Sequence, residues 1–379
     1  MTEKAVYLDS NASTKVHPAV LEAMVRALKD HHGNPSSSHA SGRAARAAIE
    51  RARSQVAELL DCQPGEIVFT SGGTESNNQS LQGACFAARA EARRLVTTTI
   101  EHPAIDEVCS WLERFGFRTT RIGVDGKGRV DPHDVESAVD DATVLVSVMH
   151  ANNEIGTIQP VARIATLVKK KDDRILLHTD AAQSVGKIPV RVDDLGVDLL
   201  SIAGHKLHAP KGVGALYIRG GTNVERFLHG AGHEGGRRSG TEATPQIVGL
   251  GEACSLARQD LEGRGVRMEE LRDLLEHRLR ECFPHAVIHG DTEHRLPNTS
   301  SIGIPGIDAV KLLARLDGVV EASTSAACHS GRVARSAVLS ALQVPEDVAR
   351  GTLRLTISRF TTPDEIHRAV TAIAAAARS

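Results

Sequence analysis

The sequence predicts an α/β protein, with a mostly parallel sheet covered by helices on both faces and a smaller α+β part after it. Three observations carry this. Short β-branched and aliphatic runs alternate with helical patterns from residue 18 to about 218. Those runs are apolar at consecutive positions, as strands buried on both faces are. From about residue 244 the alternation gives way to a long helical region ending near Cys282, followed by shorter elements. A chain of 379 residues has the length of roughly two domains.

The elements follow in order. "PAVLEAMVRALKD" sets Leu21, Met24, Val25 and Leu28 on one helical face, which predicts that this face is buried. "SGRAARAAIERARSQ" is a basic helix with charges at surface spacing, read as a solvated face. "GEIVFT", "RLVTTT", "FRTTRI", "TVLVSVMH" and "RILLHTD" are strands separated by helical segments. Beyond Cys282, "AVIHG" and "NTSSIGI" are followed by the helix "DAVKLLARL", by "GTLRLTIS" and by a last helix from Pro363. The first dozen residues form no helix of their own and fit either part.

Composition narrows the function. The chain is 41% hydrophobic and 24% charged, enough apolar material for a sizeable core. Its 45 basic and 47 acidic residues leave a net charge of -2, so bulk charge offers no attraction to nucleic acid or a membrane. No apolar run approaches the ~18 residues of a membrane span. "MTEKAVYLDS" has no basic segment followed by an apolar one, and a cytoplasmic location is expected. Cys62, Cys85, Cys109, Cys254, Cys282 and Cys328 form no C-x-x-C pair and no zinc spacing, so no metal site is expected. Most are read as small buried hydrophobes.

Chemistry enters at four places. In "IVFTSGGTESNN", Gly72 and Gly73 permit close approach to a ligand, and Thr74 lies where a helix begins, where free N–H groups favour a phosphate. An ordinary capped helix start is the alternative there. In "HTDAAQSVGK", Asp180 ends an apolar strand, at the edge where open α/β sheets bind ligands, with Gln183 close behind. A carboxylate at that edge can pair with a ring cation, or it can simply cap a helix. In "SIAGHKLHAPKGVG", Lys206 follows Gly-His directly after a strand, and a buried lysine is a Schiff-base former. "IEHPA" brings His102 to the end of a further strand, where an imidazole can stack on a ring. Lysine, carboxylate and phosphate cradle are jointly what pyridoxal phosphate requires.

These residues stand in longer stretches, among them "VYLDSNASTKVHP", "GNPSSSHASGR", "LVSVMHANNEIGTIQP", "LGVDLLSIAGHK", "RSGTEATPQIVGLG" and "LRLTISRFTT". In them the sequence resembles the class V, fold-type I pyridoxal phosphate enzymes, specifically the cysteine desulfurases and the related selenocysteine lyases. The resemblance runs over nearly the whole chain. It implies a large domain, residues 16–258, with a mostly parallel seven-stranded sheet between helices. Residues 1–15 together with 259–379 would form a small α+β domain carrying a catalytic cysteine loop.

It also implies roles. Lys206 would hold pyridoxal 5′-phosphate covalently and remove the substrate's Cα proton, while Lys211 would be structural. His102 would stack on the ring and relay protons. Asp180 would bind the pyridine nitrogen and Gln183 the ring hydroxyl. Gly73, Thr74 and His205 would hold the phosphate, with Thr241 reaching the phosphate of a partner subunit in a homodimer. Asn153 and Arg354 would bind the substrate amino acid, Arg354 through a bidentate fork. Cys328, in "EASTSAACHSGRVARS", lies among small residues expected to form a mobile loop, with His329, Arg332 and Arg335 near enough in sequence to lower a thiol pKa. It would take sulfur from L-cysteine as a persulfide, release L-alanine and pass the sulfur to an acceptor protein. Iron–sulfur cluster assembly, tRNA thiolation and DNA phosphorothioation are the pathways implied, with no direct nucleic-acid contact. A selenocysteine lyase is the nearest alternative, and an aminotransferase or β-lyase that leaves Cys328 idle is another. The sequence departs from the family at Ala203, where Ser is common, at His208-Ala209 in place of Tyr-Gly, and at Arg335 in place of Pro.

Overall fold

The computed structural model describes residues 4–324, 327–329, 332–334 and 336–378, with only the backbone described at 327–329 and 332–334. Its centre is a seven-stranded sheet in the order Ile67–Thr70, Gly214–Ile218, Leu199–Ala203, Leu176–Asp180, Thr143–Ser147, Arg94–Thr98 and Arg118–Ile122. Gly214–Ile218 runs antiparallel to both of its neighbours, and every other pairing is parallel. Six strands therefore point their carboxyl ends to one edge.

The consecutive apolar residues are explained by alternation across the sheet. Val96, Val146, Leu200 and Ala215 enter one hydrophobic core, while their neighbours Leu95, Leu145, Leu199 and Leu216 enter the core on the opposite face. The first core is closed by the helices Pro18–Asp30, Ala40–Leu60 and Thr244–Gln259 through Val20, Val56 and Leu250. The second is closed by Gly73–Ala87 and Pro103–Glu113 through Leu81 and Leu112.

A further core gathers Leu271, Leu275, Leu353, Leu355, Ile366 and Ile373. It backs an antiparallel sheet of Ser323–Thr324, Thr352–Thr356, Thr299–Gly303 and Val287–Ile288. The N-terminal strand Val6–Tyr7 pairs parallel with Val320–Glu321, and Val6 and Leu8 are buried in this same core. Asp9 to Thr14 then cross from this sheet to the large one.

Two expectations need correction. On Pro18–Asp30 the buried residues are Val20, Ala23 and Ala27, whereas Leu21, Val25 and Leu28 are exposed and Met24 only partly packed. The helix Thr244–Gln259 approaches closely at Gly249, where a Cβ would come within 2.8 Å of Met24 Cγ, so of the four residues of that face it is Met24 that packs against its neighbour. The basic helix Ala40–Leu60 is likewise not solvated throughout. Arg53 is buried and its Nη1 and Nη2 donate to the Glu234 carboxylate at 2.7 and 2.9 Å.

Candidate active site

The sheet's carboxyl edge brings the sequence-selected residues around one cavity of about 430 Å³. It is lined by Gly73, Thr74, His102, Asn153, Asp180, Gln183, His205, Lys206 and Arg354. Most arrive by the same local logic: a strand ends, and the first turn after it carries the functional side chain.

Lys206 closes the 3₁₀ turn Gly204–Lys206 that follows the strand Leu199–Ala203. Its Nζ donates to the main-chain oxygens of Asn11 and of Ala12, the latter at 2.9 Å. Burial, and then the nearby Arg354 guanidinium, push the Lys206 amine down to about 8 against the pull of Asp180 and Asp9. A substantial neutral fraction near pH 7 to 8 is what a nucleophilic lysine needs. Lys211 is exposed.

Asp180 ends its strand with 7% of its surface exposed. Asn77 Nδ2 donates to its Oδ2 at 2.7 Å and Ala182 N to its Oδ1 at 2.9 Å. No helix follows it directly, so the helix-cap alternative fails. His102 caps the helix Pro103–Glu113, its Nδ1 accepting from Ala104 N at 3.1 Å. Burial lowers the His102 pKa, with Asp180 opposing and Lys206 assisting. A neutral imidazole that accepts at Nδ1 carries its proton on Nε2.

The helix Gly73–Ala87 starts at the carboxyl side of Ile67–Thr70, with Gly72 as its N-cap at a φ of 151°. No side chain caps it, so its first N–H groups stay available to an anion. A side chain at Gly73 would come within 3.1 Å of Ala203 Cβ, so the glycine and the alanine together keep this corner open. The serine hydroxyl common at position 203 is absent. His205 is neutral, pushed down to about 4 by burial and then by Lys206 and Lys211. At the other departure, His208 takes a φ of 68° and its Nδ1 lies 2.8 Å from the Lys15 carbonyl. Thr241 is exposed.

Arg354 reaches in from the strand Thr352–Thr356. Its Nη2 donates to Asp9 Oδ1 at 2.9 Å and to Ser323 Oγ at 3.0 Å, and its Nη1 reaches Asn153 O at 3.5 Å. Its buried Nε has no partner. A guanidinium anchored on one side by Asp9 and Ser323 and lining a cavity is suited to a carboxylate. The backbone of Cys328 lies in the strand Ala327–His329, which pairs antiparallel with Arg332–Ala334, Cys328 opposite Val333. The side chains of Cys328, His329 and Arg332, and all of Arg335, lie outside the described residues.

Two residues of this site escaped the sequence reading. Asn77 orients Asp180, and Asn11 joins Lys206, Gln183 and the small sheet through Thr299 and Thr356. Both stand inside motifs quoted above, yet a polar asparagine in a loop or helix carries no signal of whom it touches.

The cavity fits pyridoxal phosphate on its own features: an uncapped helix start, an open corner at Gly73, a buried carboxylate, a lysine of lowered pKa and an unsatisfied guanidinium N–H. Such a site at the carboxyl edge of this sheet defines a pyridoxal phosphate enzyme of the large α/β type. Residues 6–369 match the aminotransferase class-V family. The cysteine desulfurase IscS of Dictyoglomus turgidum is 43% identical over 96% of this chain and 92% of its own length. Among solved structures, a NifS-like protein superposes with a TM-score of 0.92 at 38% identity, covering 98% of this chain and 99% of its own. A structure described as SspA in complex with cysteine superposes with a TM-score of 0.82 at 33% identity, over 95% of this chain and 100% of its own. The chain belongs to the class V family, in its cysteine desulfurase group, and its cofactor is pyridoxal 5′-phosphate. Among the described residues no helix is long and apolar enough to cross a membrane.

Proposed function

We propose that this chain converts L-cysteine to L-alanine and carries the sulfur on Cys328 to an acceptor. The observation that carries the reading is that Lys206, an amine of lowered pKa, and Arg354, a guanidinium anchored by Asp9 and Ser323, line one cavity. When bound, pyridoxal phosphate supplies an electron sink for the charge left at Cα.

The chain's own residues do the rest. Arg354 and Asn153 hold the substrate carboxylate and fix which bond faces Lys206. Lys206 binds the cofactor and accepts the Cα proton. Asp180, held by Asn77, would keep a pyridine nitrogen protonated, and Gln183 would bond the ring hydroxyl. Gly73, Thr74 and His205 hold the phosphate, with Thr241 of a second copy. His102 would help hold the ring, with its Nε2–H available to relay a proton. The Cys328 thiolate forms an S–S bond to the substrate sulfur as the C–S bond breaks, its electron pair staying with the carbon that becomes alanine. Sulfur then leaves as the outer atom of a persulfide.

Residues 16–258 form the large domain, and residues 1–15 with 259–379 the small one, in this reading. A homodimer is supported by the exposed strip Leu21, Val25 and Leu28 and by an exposed Thr241. A cytoplasmic location is supported by cysteines scattered as in reducing compartments. The acceptor belongs to iron–sulfur cluster assembly, tRNA thiolation or DNA phosphorothioation.

The test supplies L-cysteine to the wild-type and Cys328→Ser holoenzymes, measures alanine, and traps persulfide by alkylation and mass spectrometry. Wild type is expected to form both products and the variant neither, while keeping its cofactor absorption. Alanine made by the variant at the wild-type rate sinks the reading. Activity on selenocysteine alone replaces it with a lyase.

A further inference from the structure

The buried amine of Lys187 takes no part in the steps above, yet it lies directly behind them. Lys187 is 7% exposed, and its Nζ donates to Asn11 Oδ1 at 3.0 Å and to Gln183 Oε1 at 2.8 Å. The Asn11 amide is oriented independently. Its Nδ2 donates to Thr299 Oγ1 at 2.9 Å and to Asn153 O at 3.2 Å, and Asn298 Nδ2 donates to its Oδ1 at 3.0 Å. Gln183 lacks that redundancy. Its Nε2 donates to Asn11 O at 3.0 Å, the same oxygen that accepts from Lys206, and its Oε1 receives Lys187.

An amide side chain can turn over, exchanging its donor and acceptor ends, unless its neighbours forbid it. Turned over here, the Gln183 NH2 would face an amine and Oε1 would face a carbonyl oxygen. Both hydrogen bonds would be lost in a buried place, where unsatisfied groups are costly.

We propose that Lys187 is a positioning residue that locks the Gln183 amide with its NH2 group toward Asn11 O and the cavity. The inference rests on the assignment of Gln183 and Lys206 given above. In the locked orientation Gln183 presents a donor, which favours an ionised ring oxygen on the cofactor. Burial, then Lys206 and Arg354, lower the Lys187 pKa well below its usual value. Its described contacts are both donations to oxygens, Asn11 Oδ1 and Gln183 Oε1, so the amine meets Gln183 as a donor.

The test uses holoenzymes carrying Lys187→Arg, Lys187→Gln or Lys187→Met, with the visible absorption of the bound cofactor followed across pH without substrate. Arginine offers only donors, glutamine accepts as readily as it donates, and methionine does neither. The titratable and charged groups that act on Lys187 are Lys206, Arg354 and His208, with Asp9 and Asp180 acting on Lys206, all unchanged in these variants. Lys187→Gln and Lys187→Met are expected to move the midpoint upward by about one pH unit, the worth of one lost charge-assisted hydrogen bond. Lys187→Arg keeps a donor at this place and is expected to show no upward shift. A role in packing alone reverses that order, because glutamine fits the space better than arginine. Should the arginine variant not fold, Lys187→Gln decides alone.

In a Gln183→Leu background the Lys187→Gln shift is expected to vanish, since the effect passes through Gln183. A wild-type midpoint in Lys187→Gln, or a shift that persists in the Gln183→Leu background, overturns the proposal. Loss of the visible band from wild type, or its survival in Lys206→Ala, overturns the underlying assignment instead.

Discussion

Arg354→Lys separates charge from shape at the proposed carboxylate dock. The arginine is fixed by Asp9 and Ser323 through Nη2, its Nη1 reaches Asn153 O at 3.5 Å, and the side chain lines the cavity. A lysine keeps the positive charge but offers a point donor in place of the planar fork. One of two charge-assisted hydrogen bonds to the substrate is then lost, at roughly 1.5–3 kcal/mol. At about 1.4 kcal/mol per decade this raises KM for L-cysteine by about 10- to 150-fold. The assay is steady-state alanine release over a range of cysteine concentrations, with the cofactor's visible band recorded on the same samples. The band should be unchanged, because a lysine keeps the positive charge that Arg354 places near Lys206. An unchanged KM refutes the argument. Loss of the band along with activity refutes it differently, by making Arg354 part of the cofactor site.

Three further outcomes are expected. Asn77→Ala removes the 2.7 Å donor to Asp180 Oδ2, so turnover should fall by about tenfold with cofactor still bound; steady-state kinetics at wild-type rate would show that Asp180 needs no such support. Glu234→Ala leaves Arg53 buried without its bidentate partner and strips the acceptor from Phe69 N, and should cost about 3 kcal/mol in urea unfolding; an unmoved midpoint would mean the pair is solvated in solution. Leu21→Glu introduces charge into the exposed apolar strip with Val25 and Leu28, and sedimentation should show a monomer of weakened cofactor affinity; an intact dimer would place the interface elsewhere.

Much of this protein is determined by local sequence. Strands buried on both faces must be apolar at successive positions, so the sheet is legible in runs such as "TVLVS", and its carboxyl edge follows from the residue after each run. The chemistry-bearing residues Lys206, Asp180, His102 and the Gly72–Thr74 turn occupy that edge, where a short motif contains both the residue and its placement. Tertiary structure alone decided what depends on a partner far along the chain. Arg53 looks solvated until Glu234 arrives 181 positions later, and Leu21 looks buried until the fold buries Val20, Ala23 and Ala27 of its helix instead. Asn11 shows the limit most clearly. Its partners Asn153, Gln183, Lys206, Thr299 and Thr356 come from both sheets and the loops between them, and no periodicity or spacing encodes a hydrogen bond across 345 residues. Hydrophobic pattern is a property of neighbours in sequence, whereas satisfying a buried polar group is a property of neighbours in space.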